Sequence, residues 1–469
     1  MLEPVYQADV VIVGAGVAGL AAAHRLTSAG VTTAVLEAAA FVGGRMSTEK
    51  VDGFRLDRIG QLLSTSYPEL RLTPGLDALV LRPFAPGVLV HSEGRHHRAS
   101  SPPAGGGARG ALSAVRALAS APRATYAPRT GVGATGGRVV RFRAAGSRSP
   151  VPRPAAPLGS AMDQARLGAA LARLAATPVE RLLVRPELPA RRALTSRGLP
   201  ARTVDGFLRP LLAALLCDPE LTTSSRCADL ALRAFASGRL CLPEGGAEVL
   251  PELLARALPP GTVHTGVHAT SVSTTSVTTA DHGEFRCRAV LVATDAHAAA
   301  GLLPGLRVPD FHPVTVVHHT MDEPPQTGAS LLLDADREGP VAHTAVVSTV
   351  DPSRAPAGRA LVSSTVLGPP PDGVDSAVRA HLARLYGTST TRWETLAVHH
   401  TARAVPAMRP PHDVHRQVRL LAGLYVCGDH RDTSTVQGAL HSGHRAASAA
   451  LTDLGAGPIH AAEPLPKAA

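Results

Sequence analysis

The sequence predicts an α/β protein built on a parallel sheet, and two stretches near its ends indicate that class. Residues 8–13 form a short, apolar, β-branched run, which is typical of a buried parallel strand, and a glycine-rich turn and a helical stretch follow it. Residues 424–427 form another apolar strand that closes on Gly428 and Asp429. Between these ends, helical periodicity over 160–235 and strand-like runs over 310–405 predict a second, α+β region.

The glycine-rich turn after the first strand carries the pattern Gly-x-Gly-x-x-Gly. In such a turn Gly14 allows a tight bend, Gly16 lets the backbone approach a pyrophosphate, and Gly19 lets the helix pack on the strand. A second strand, 33–36, ends at Glu37, whose carboxylate is placed to accept hydrogen bonds from ribose hydroxyls. The order of these parts predicts a dinucleotide site at Gly14, Ala15, Gly16, Ala18, Gly19 and Glu37.

Composition excludes several classes of protein. No apolar run reaches the roughly 18 residues of a membrane span, and the N-terminus lacks the basic region of a signal peptide, which predicts a cytoplasmic protein. The five cysteines form no Cys-x-x-Cys pair, so a disulfide scaffold, a zinc ribbon and a dithiol reductase are not expected. Aromatic residues make up only 3% of the chain, which argues against a base-stacking, nucleic-acid-binding protein.

Basic charge is concentrated in the middle of the chain. The formal net charge is +10, and only two basic residues are lysines, Lys50 and Lys467. Between Arg82 and Arg209 there are 21 arginines against five acidic residues. This excess is consistent with contact with anionic lipid at a membrane surface, but arginine is enriched together with alanine, glycine and proline, as a biased gene composition would produce. Both interpretations stay open, and the stretch 94–162 receives no assigned role.

A second glycine pair resembles a known cofactor motif. Gly43, Gly44 and Arg45 follow the second strand, and residues 53–62 read Gly-Phe-Arg-Leu-Asp-Arg-Ile-Gly-Gln-Leu. These segments resemble the superfamily of FAD-dependent amine oxidases and phytoene desaturases. The resemblance implies non-covalent FAD, with Gly43, Gly44 and Arg45 along the pyrophosphate and ribityl chain. It also implies that Gly60, Gln61 and Leu62 lie near the isoalloxazine ring.

The C-terminal part and the middle of the chain are similar to further motifs of the same superfamily. Residues 424–429 and 433–447 resemble its C-terminal flavin motif, which implies cofactor contacts from Gly428, Asp429, Val436, Gln437 and Ala439. Residues 242–247 resemble its Pro-x-Gly-Gly segment, and 263–272, 276–279 and 284–288 are predicted as hairpin strands of its β-meander. In that segment Val267 matches the position whose backbone meets the adenine.

These matches predict how the chain is divided. Residues 1–90, 236–305 and 416–455 are assigned to a Rossmann-type FAD-binding domain with a parallel sheet and a β-meander. Residues 91–235 and 306–415 are assigned to an α+β substrate domain, in which 111–121 is helical and 122–157 is an irregular insertion rich in arginine, proline and glycine. Residues 456–469 form a tail.

The resemblance implies an oxidoreductase in which a substrate C–H bond gives a hydride to flavin N5. True amine oxidases of the superfamily also use a lysine-held water and an aromatic pair. Here the two lysines fall outside the substrate domain, and Thr435 stands where a tyrosine is expected. The segment 435–443 resembles the carotenoid and squalene-type desaturases more closely, so a largely apolar small-molecule substrate is predicted. An amine oxidase, and a redox-neutral isomerase or a non-catalytic FAD-binding protein, remain alternatives. The electron acceptor (oxygen or quinone) and the oligomeric state stay open.

No catalytic residue is assigned from the sequence. The pairs His318-His319 and His399-His400 lie on predicted strands, where neighbouring side chains point to opposite faces. One histidine of each pair is therefore expected to be buried, either as an acid–base group near the flavin or as a hydrogen-bonded core residue, and the other exposed. Spacings typical of metal ligands or of a nucleophilic serine are missing, so no metal is predicted.

Overall fold

The computed structural model describes residues 6–99 and 159–455. The predicted helix 111–121, the predicted insertion 122–157 and the predicted tail 456–469 lie outside the described residues. Within the described ranges, the structure contains no helix long and apolar enough to span a membrane.

A six-stranded sheet forms one half of the molecule. Its order is Val263–Thr265, Thr33–Glu37, Val10–Val13, Ala289–Val292, Leu424–Val426 and Arg419–Leu421. The first five strands are parallel and the last is antiparallel. The central strand Val10–Val13 is buried along its whole length, as expected for an apolar strand covered on both faces. Strands from three separate stretches of the chain therefore meet in one sheet, which confirms the predicted α/β class.

Two long helices, Val17–Thr27 and Val436–Asp453, pack against each other beside this sheet. Their contact depends on Gly443, because a Cβ atom there would lie 2.2 Å from the carbonyl oxygen of Ala18. This close approach brings the start of the C-terminal helix near the glycine-rich turn at the start of the first helix.

The predicted hairpin strand over 263–272 is two strands. Val263–Thr265 joins the parallel sheet beside Thr33–Glu37, whereas Ala269–Val272 belongs to a separate meander. Gly266, with φ of +75°, ends the first strand and redirects the chain. The meander has the order Tyr6–Gln7, Glu284–Arg286, Ser276–Thr279 and Ala269–Val272.

A seven-stranded sheet forms the other half. Its order is Glu394–Pro406, Phe311–Met321, Ala360–Leu367, Val341–Val346, Leu332–Asp334, Val88–Ser92 and Arg95–Ala99. All neighbours are antiparallel except Leu332–Asp334 with Val88–Ser92. Residues 347–350, which directly follow the strand Val341–Val346, form a helical turn that leads into the buried carboxylate of Asp351. The sheet begins at Val88, three residues before the predicted domain boundary at 91, and the boundaries themselves stay a prediction.

The helical region predicted between 160 and 235 is present. Ala161–Ala176 begins with a capping box, in which the Ser160 hydroxyl accepts from the Asp163 N–H and the Asp163 carboxylate accepts from the Ser160 N–H. Its other helices are Val179–Leu183, Ala190–Ser196, Ala201–Thr203, a π-helical turn Val204–Leu208, Arg209–Leu216 and Ser225–Ser237. Their apolar faces share one core with the inner face of the seven-stranded sheet.

Two smaller sheets contain the remaining strands. One is the hairpin of Thr48–Val51 and Phe54–Asp57, and the other consists of Leu63–Ser64, Leu240–Pro243 and Leu81–Pro83. The other helices are Glu69–Leu72, Val249–Arg256, Ala296–Leu302, Val347–Val350, Val374–Tyr386 and the 3₁₀ turns Pro352–Arg354 and Asp429–Arg431.

Candidate active site

A cleft of about 750 Å³ opens at the carboxyl ends of the parallel strands, the edge where such sheets bind their ligands. Most of the residues predicted to contact the cofactor line it: Gly14, Gly16, Ala18, Glu37, Gly43, Gly44, Arg45, Gly60, Gln61, Val267, Gly428, Asp429, Val436 and Ala439. Residues far apart in sequence are thus brought into one cleft, which runs from Glu37 at one end to Gly60 at the other.

The glycine-rich turn leaves open space where a phosphate group would lie. A Cβ atom at Gly16 would meet nothing within 4 Å, so this backbone faces the cleft without obstruction. At Gly19 a Cβ atom would lie 2.0 Å from the carbonyl oxygen of Gly14, so only glycine allows this helix to pack here. The helix that begins at Val17 has no side-chain cap, and its first N–H groups remain available to an anion.

The carboxylate of Glu37 is fixed at the tip of its strand. Oε2 accepts from the N–H of Ala15 at 2.8 Å, and Oε1 accepts from the N–H of Ala39 at 2.9 Å. Each oxygen keeps a further lone pair, so the carboxylate is held in place while it can still accept from a ligand hydroxyl. The neighbouring Val267 N–H donates to the Glu37 carbonyl at 2.9 Å, which sets Val267 at the same end of the cleft.

Arg45 and Asp429 form an ion pair across the cleft, with Nη2 and Oδ1 2.6 Å apart. Nη1 of Arg45 also donates to the carbonyl of Ala404 at 2.8 Å. Burial alone would lower the pKa of the Arg45 guanidinium, but the Asp429 carboxylate outweighs it and holds that pKa above its usual value. Arg45 is therefore a fixed cation that joins the C-terminal motif to the long strand Glu394–Pro406.

The flavin-containing amine oxidoreductase family model matches residues 17–451. The chain belongs to this family. It is an FAD-dependent oxidoreductase, as the resemblance of its motifs implied.

Solved structures share the fold at low identity. A putative protoporphyrinogen oxidase from Exiguobacterium sp. 255-15 is 18% identical, with 97% of this chain and 100% of that chain covered and a TM-score of 0.64. An oxidoreductase from Methanosarcina mazei is 15% identical, with coverage of 94% and 99% and a TM-score of 0.67. Among curated proteins, putrescine oxidase from Kocuria rosea is 52% identical over 68 residues, which is 14% of each chain. The matched stretch thus spans about one seventh of the length of that relative.

The cleft of this family member fits FAD. The open backbone at Gly16, the fixed acceptor at Glu37 and the half-buried cation at Arg45 provide places for a pyrophosphate, a ribose and the phosphate side of the ribityl chain. Cysteine is not among the lining residues of the described cleft, and the Cys427 thiol is buried in its strand. Burial raises the pKa of that thiol, so Cys427 is a protonated core residue and FAD is held without a covalent link.

Four predicted contact residues do not line the cleft. Ala15 and Gly19 support the turn from behind, through the hydrogen bond to Glu37 and the close helix packing described above. Leu62 packs in the core that the helices between 161 and 237 share with the seven-stranded sheet. The side chain of Gln437 points elsewhere, since its amide oxygen accepts from the Glu69 N–H at 3.0 Å. Thr435, which caps the C-terminal helix by accepting from the Gly438 N–H, lines the cleft instead.

Several lining residues were not predicted. Thr294 and Asp295 follow the buried strand Ala289–Val292 and therefore emerge at the same sheet edge, a signal that the sequence did contain. Ala404 and Val405 also line the cleft, from the strand Glu394–Pro406. They are small apolar residues in an ordinary strand, and nothing in their sequence pattern points to a cofactor.

A small buried cavity of about 30 Å³ lies beyond the Gly60 end of the cleft, and Gly60 lines both. Its polar wall contains the ion pair between Asp57 and Arg354, both almost completely buried. Oδ1 of Asp57 also accepts from the Thr48 hydroxyl at 2.7 Å and from the Ala247 N–H at 2.9 Å. Burial would raise the pKa of the Asp57 carboxyl, but Arg354 and these donors outweigh it, so that pKa is lowered and Asp57 stays charged.

The histidine pairs follow the alternation rule only in part. His318 and His319 are both buried, so the expectation of one exposed histidine in that pair is wrong. The reason is that the sheet is covered on both faces: His318 faces the cavity, and His319 packs under the helix Val374–Tyr386, with Nε2 3.2 Å from Asp375. In the other pair, His399 is largely buried against Glu49 and His400 is exposed, as expected.

His318 has no free ring nitrogen. Its Nε2 donates to the Asp57 carbonyl at 3.1 Å, so its Nδ1 accepts from the Ser363 hydroxyl at 2.8 Å. Burial lowers the pKa of His318 to about 3. At neutral pH this histidine is uncharged and fully hydrogen-bonded, and it does not serve as an acid or a base.

Proposed function

We propose that the protein is a dehydrogenase that removes a hydride from a C–H bond of a largely apolar small molecule, while a proton from the adjacent atom of that molecule is released to solvent. Bound FAD supplies the hydride acceptor, N5 of the isoalloxazine ring. The protein then has to bind the cofactor, orient the substrate C–H bond against it and exclude water. The observation that carries this proposal is the chemistry of the Gly60 end of the cleft, where the isoalloxazine is expected.

Apolar residues line that end. Ile59, Ala404 and Val405 are all buried there and belong to one apolar cluster. Phenylalanine, tyrosine and tryptophan are missing from the described lining of the cleft, and so is lysine. Such a surface suits a substrate that needs few polar groups, because each buried apolar contact favours binding without a matching hydrogen bond.

The lysine that amine oxidation would use is not at hand. Lys50 lies on the hairpin strand Thr48–Val51, where its Nζ pairs with Glu248 at 2.9 Å and its side chain is 60% exposed. Lys467, the other lysine of the chain, lies outside the described residues. Thr435 supports the same interpretation, since it lines the cleft where a tyrosine would be expected in an amine oxidase.

Amine oxidation is the second candidate, and one observation favours it. The chain is 52% identical over 68 residues to a protein named putrescine oxidase. A stretch of that length covers only 14% of the chain. It therefore keeps a polyamine among the compounds to be tested.

Anaerobic reduction of the purified FAD-loaded protein distinguishes the two candidates. Each member of a set of isoprenoid hydrocarbons, alcohols and aldehydes is mixed with the oxidised enzyme, and so are benzylamine, putrescine and spermidine. Loss of the flavin absorption band with an isoprenoid compound supports dehydrogenation. Rapid loss with an amine would place amine oxidation first, and loss with neither group would contradict the proposal.

A further inference from the structure

The small cavity beyond Gly60 is lined by both apolar and polar residues. Four of its apolar residues are Leu62, Phe84, Leu242 and Leu331. Its polar residues are Asp57, Arg354, His318, His343, Ser363 and Thr365, and their polar atoms contribute little of its surface. A volume of about 30 Å³ holds one small group rather than a whole substrate, since a single water needs about 10–15 Å³. The shared residue Gly60 sets this group next to the Gly60 end of the FAD cleft.

Two buried side chains at this cavity carry nitrogen atoms that find no hydrogen-bond partner among the described residues. Arg354 is 1% exposed and uses Nη2 for Asp57, whereas its Nε and Nη1 are unpaired. Nδ1 of His343 is also buried and unpaired. Buried polar atoms without a partner are rare because they lose their hydration without compensation. Both side chains line the same cavity, so a polar group bound there is the candidate partner for these nitrogen atoms.

Arg354 is held in place by the backbone around it. Asp351, which is fully buried, accepts from the Ser353 N–H and hydroxyl through Oδ1 and from the Gly245 N–H through Oδ2. These bonds fix the turn Pro352–Arg354 against the segment that follows Leu240–Pro243. The unpaired nitrogen atoms therefore cannot turn to solvent, as those of a surface arginine would.

The charge of the cavity is balanced. The positive charge of Arg354 is compensated by Asp57, whose Oδ1 is already occupied by Thr48 and Ala247. Burial lowers the pKa of His318 to about 3 and that of His343 to about 4, so neither adds a positive charge at neutral pH. A carboxylate placed here would be an uncompensated buried charge, whereas a neutral oxygen needs only donors.

We infer that this cavity is the head-group site of the substrate and that it takes a neutral oxygen acceptor, a carbonyl or a hydroxyl at the end of an otherwise apolar molecule. Arg354 donates to that oxygen, and His343 lies beside it. The inference rests on the proposed function and makes it more specific: the hydride donor is an oxygenated apolar compound rather than a pure hydrocarbon. The apolar side chains of Leu62, Phe84, Leu242 and Leu331 pack on the substrate carbon atoms next to that oxygen.

Binding of a matched series to the oxidised FAD-loaded protein tests this site without turnover. The series has one carbon skeleton and four ends: geranial, geraniol, geranic acid and the hydrocarbon 2,6-dimethylocta-2,6-diene. Each is titrated while the flavin absorption spectrum is followed. The aldehyde and the alcohol are expected to bind about tenfold or more tightly than the acid and the hydrocarbon, as a hydrogen bond to a charged donor predicts. Equal dissociation constants for all four, or no spectral change with any, would overturn the inference.

Arg354→Lys separates donation to the ligand from simple pairing with Asp57. Lysine keeps a positive charge near Asp57 but lacks the rigid guanidinium fork. The variant is expected to lose the tenfold preference for the oxygenated compounds and to keep wild-type affinity for the hydrocarbon. Arg359→Lys is the matched control, since Arg359 pairs with Glu394 outside the cavity and its variant is expected to keep the preference. A full preference in Arg354→Lys would contradict the assignment.

A second variant covers the case in which Arg354→Lys does not fold. His343→Leu leaves the Asp57–Arg354 ion pair in place, and it is expected to weaken the preference for the aldehyde and the alcohol severalfold. An unchanged preference would count against the site. If the oxygenated compounds bind preferentially but no compound reduces the flavin, the proposed dehydrogenation fails while the head-group site stands. If the hydrocarbon and the alcohol reduce it alike in wild type and in Arg354→Lys, only the head-group site fails.

Discussion

Arg45 and Asp429 are 384 residues apart in the chain, yet their side chains form a 2.6 Å ion pair inside the FAD cleft. The same guanidinium donates to the carbonyl of Ala404, on a strand of the seven-stranded sheet. One arginine therefore connects the second glycine motif, the C-terminal motif and the seven-stranded sheet. Asp429 is 7% exposed, so removing Arg45 leaves a nearly buried carboxylate without its partner, which is more costly than removing both.

A double-mutant cycle on this pair should show strong coupling. Arg45→Met and Asp429→Asn are each expected to weaken FAD binding about tenfold or more, since a charge-assisted hydrogen bond of about 1.5–3 kcal/mol is lost in either case. The double variant is expected to lose less than the sum of the two single losses. The measurement is the FAD dissociation constant of the apoprotein by fluorescence titration. Strict additivity would show that the ion pair does not act as a unit in binding the cofactor.

Glu37→Ala should weaken FAD binding through a different contact. The substitution removes the proposed ribose acceptor together with the carboxylate that fixes Ala15 and Ala39. An affinity loss of about ten- to a hundredfold is expected, as for a charge-assisted hydrogen bond. Glu284→Ala is the control, because that glutamate lies on a meander strand and pairs with Arg286 outside the cleft. Wild-type affinity in Glu37→Ala would show that the cofactor end of the cleft is wrongly placed.

The cofactor half could be predicted from the sequence far better than the substrate half. The turn at Gly14–Gly19, the acid at Glu37 and the closing Gly428-Asp429 are local patterns, and each is fixed by the strand directly before it. The ion pair of Asp57 with Arg354 could not be predicted, because it joins residues 297 positions apart. Arg354 is also one of many arginines in a chain rich in that residue, so its burial left no trace in the sequence pattern.

The seven-stranded sheet is covered on both faces, which explains why the prediction of one exposed histidine in the pair His318-His319 was wrong. Alternation along a strand distinguishes two faces but does not tell whether the second face meets solvent or a helix. Here the helix Val374–Tyr386 covers the second face. Likewise, the sequence around Gly266 did not indicate that the chain leaves one sheet there and enters another.

Stability should fall on mild acidification, and His343 should account for part of the loss. Burial lowers the pKa of His343 from 6.5 to about 4, so below pH 6.5 the unfolded chain binds a proton that the folded protein excludes. Above pH 6.5 the neutral His343 does not lower the free energy of unfolding. Between pH 6.5 and about 4 that free energy falls by about 1.4 kcal/mol for each unit by which the pH is lowered. Urea unfolding at several pH values between these limits measures the slope. His343→Leu should flatten it by one proton, and an unchanged slope would contradict the buried neutral state.

Thr435→Tyr should not create an amine oxidase. The substitution introduces one aromatic side chain at the cleft, but the described part of the cleft contains no lysine that would hold a water, since the exposed side chain of Lys50 pairs with Glu248. Anaerobic mixing of the variant with benzylamine is expected to leave the flavin oxidised. Thr435→Val is the control for loss of the cap that Thr435 provides to the Gly438 N–H. Reduction by benzylamine in Thr435→Tyr alone would show that a single aromatic residue decides the reaction.

The most direct test of the central claim is the rate of anaerobic flavin reduction by compounds that share one carbon skeleton. Geraniol, geranial and geranylamine are mixed separately with the oxidised FAD-loaded enzyme, with putrescine as an additional amine, and the flavin absorption band is followed. If the protein is a dehydrogenase of apolar, oxygenated molecules, an alcohol or aldehyde bleaches the flavin and neither amine does. Faster bleaching of the flavin by geranylamine or putrescine than by geraniol and geranial would contradict this claim.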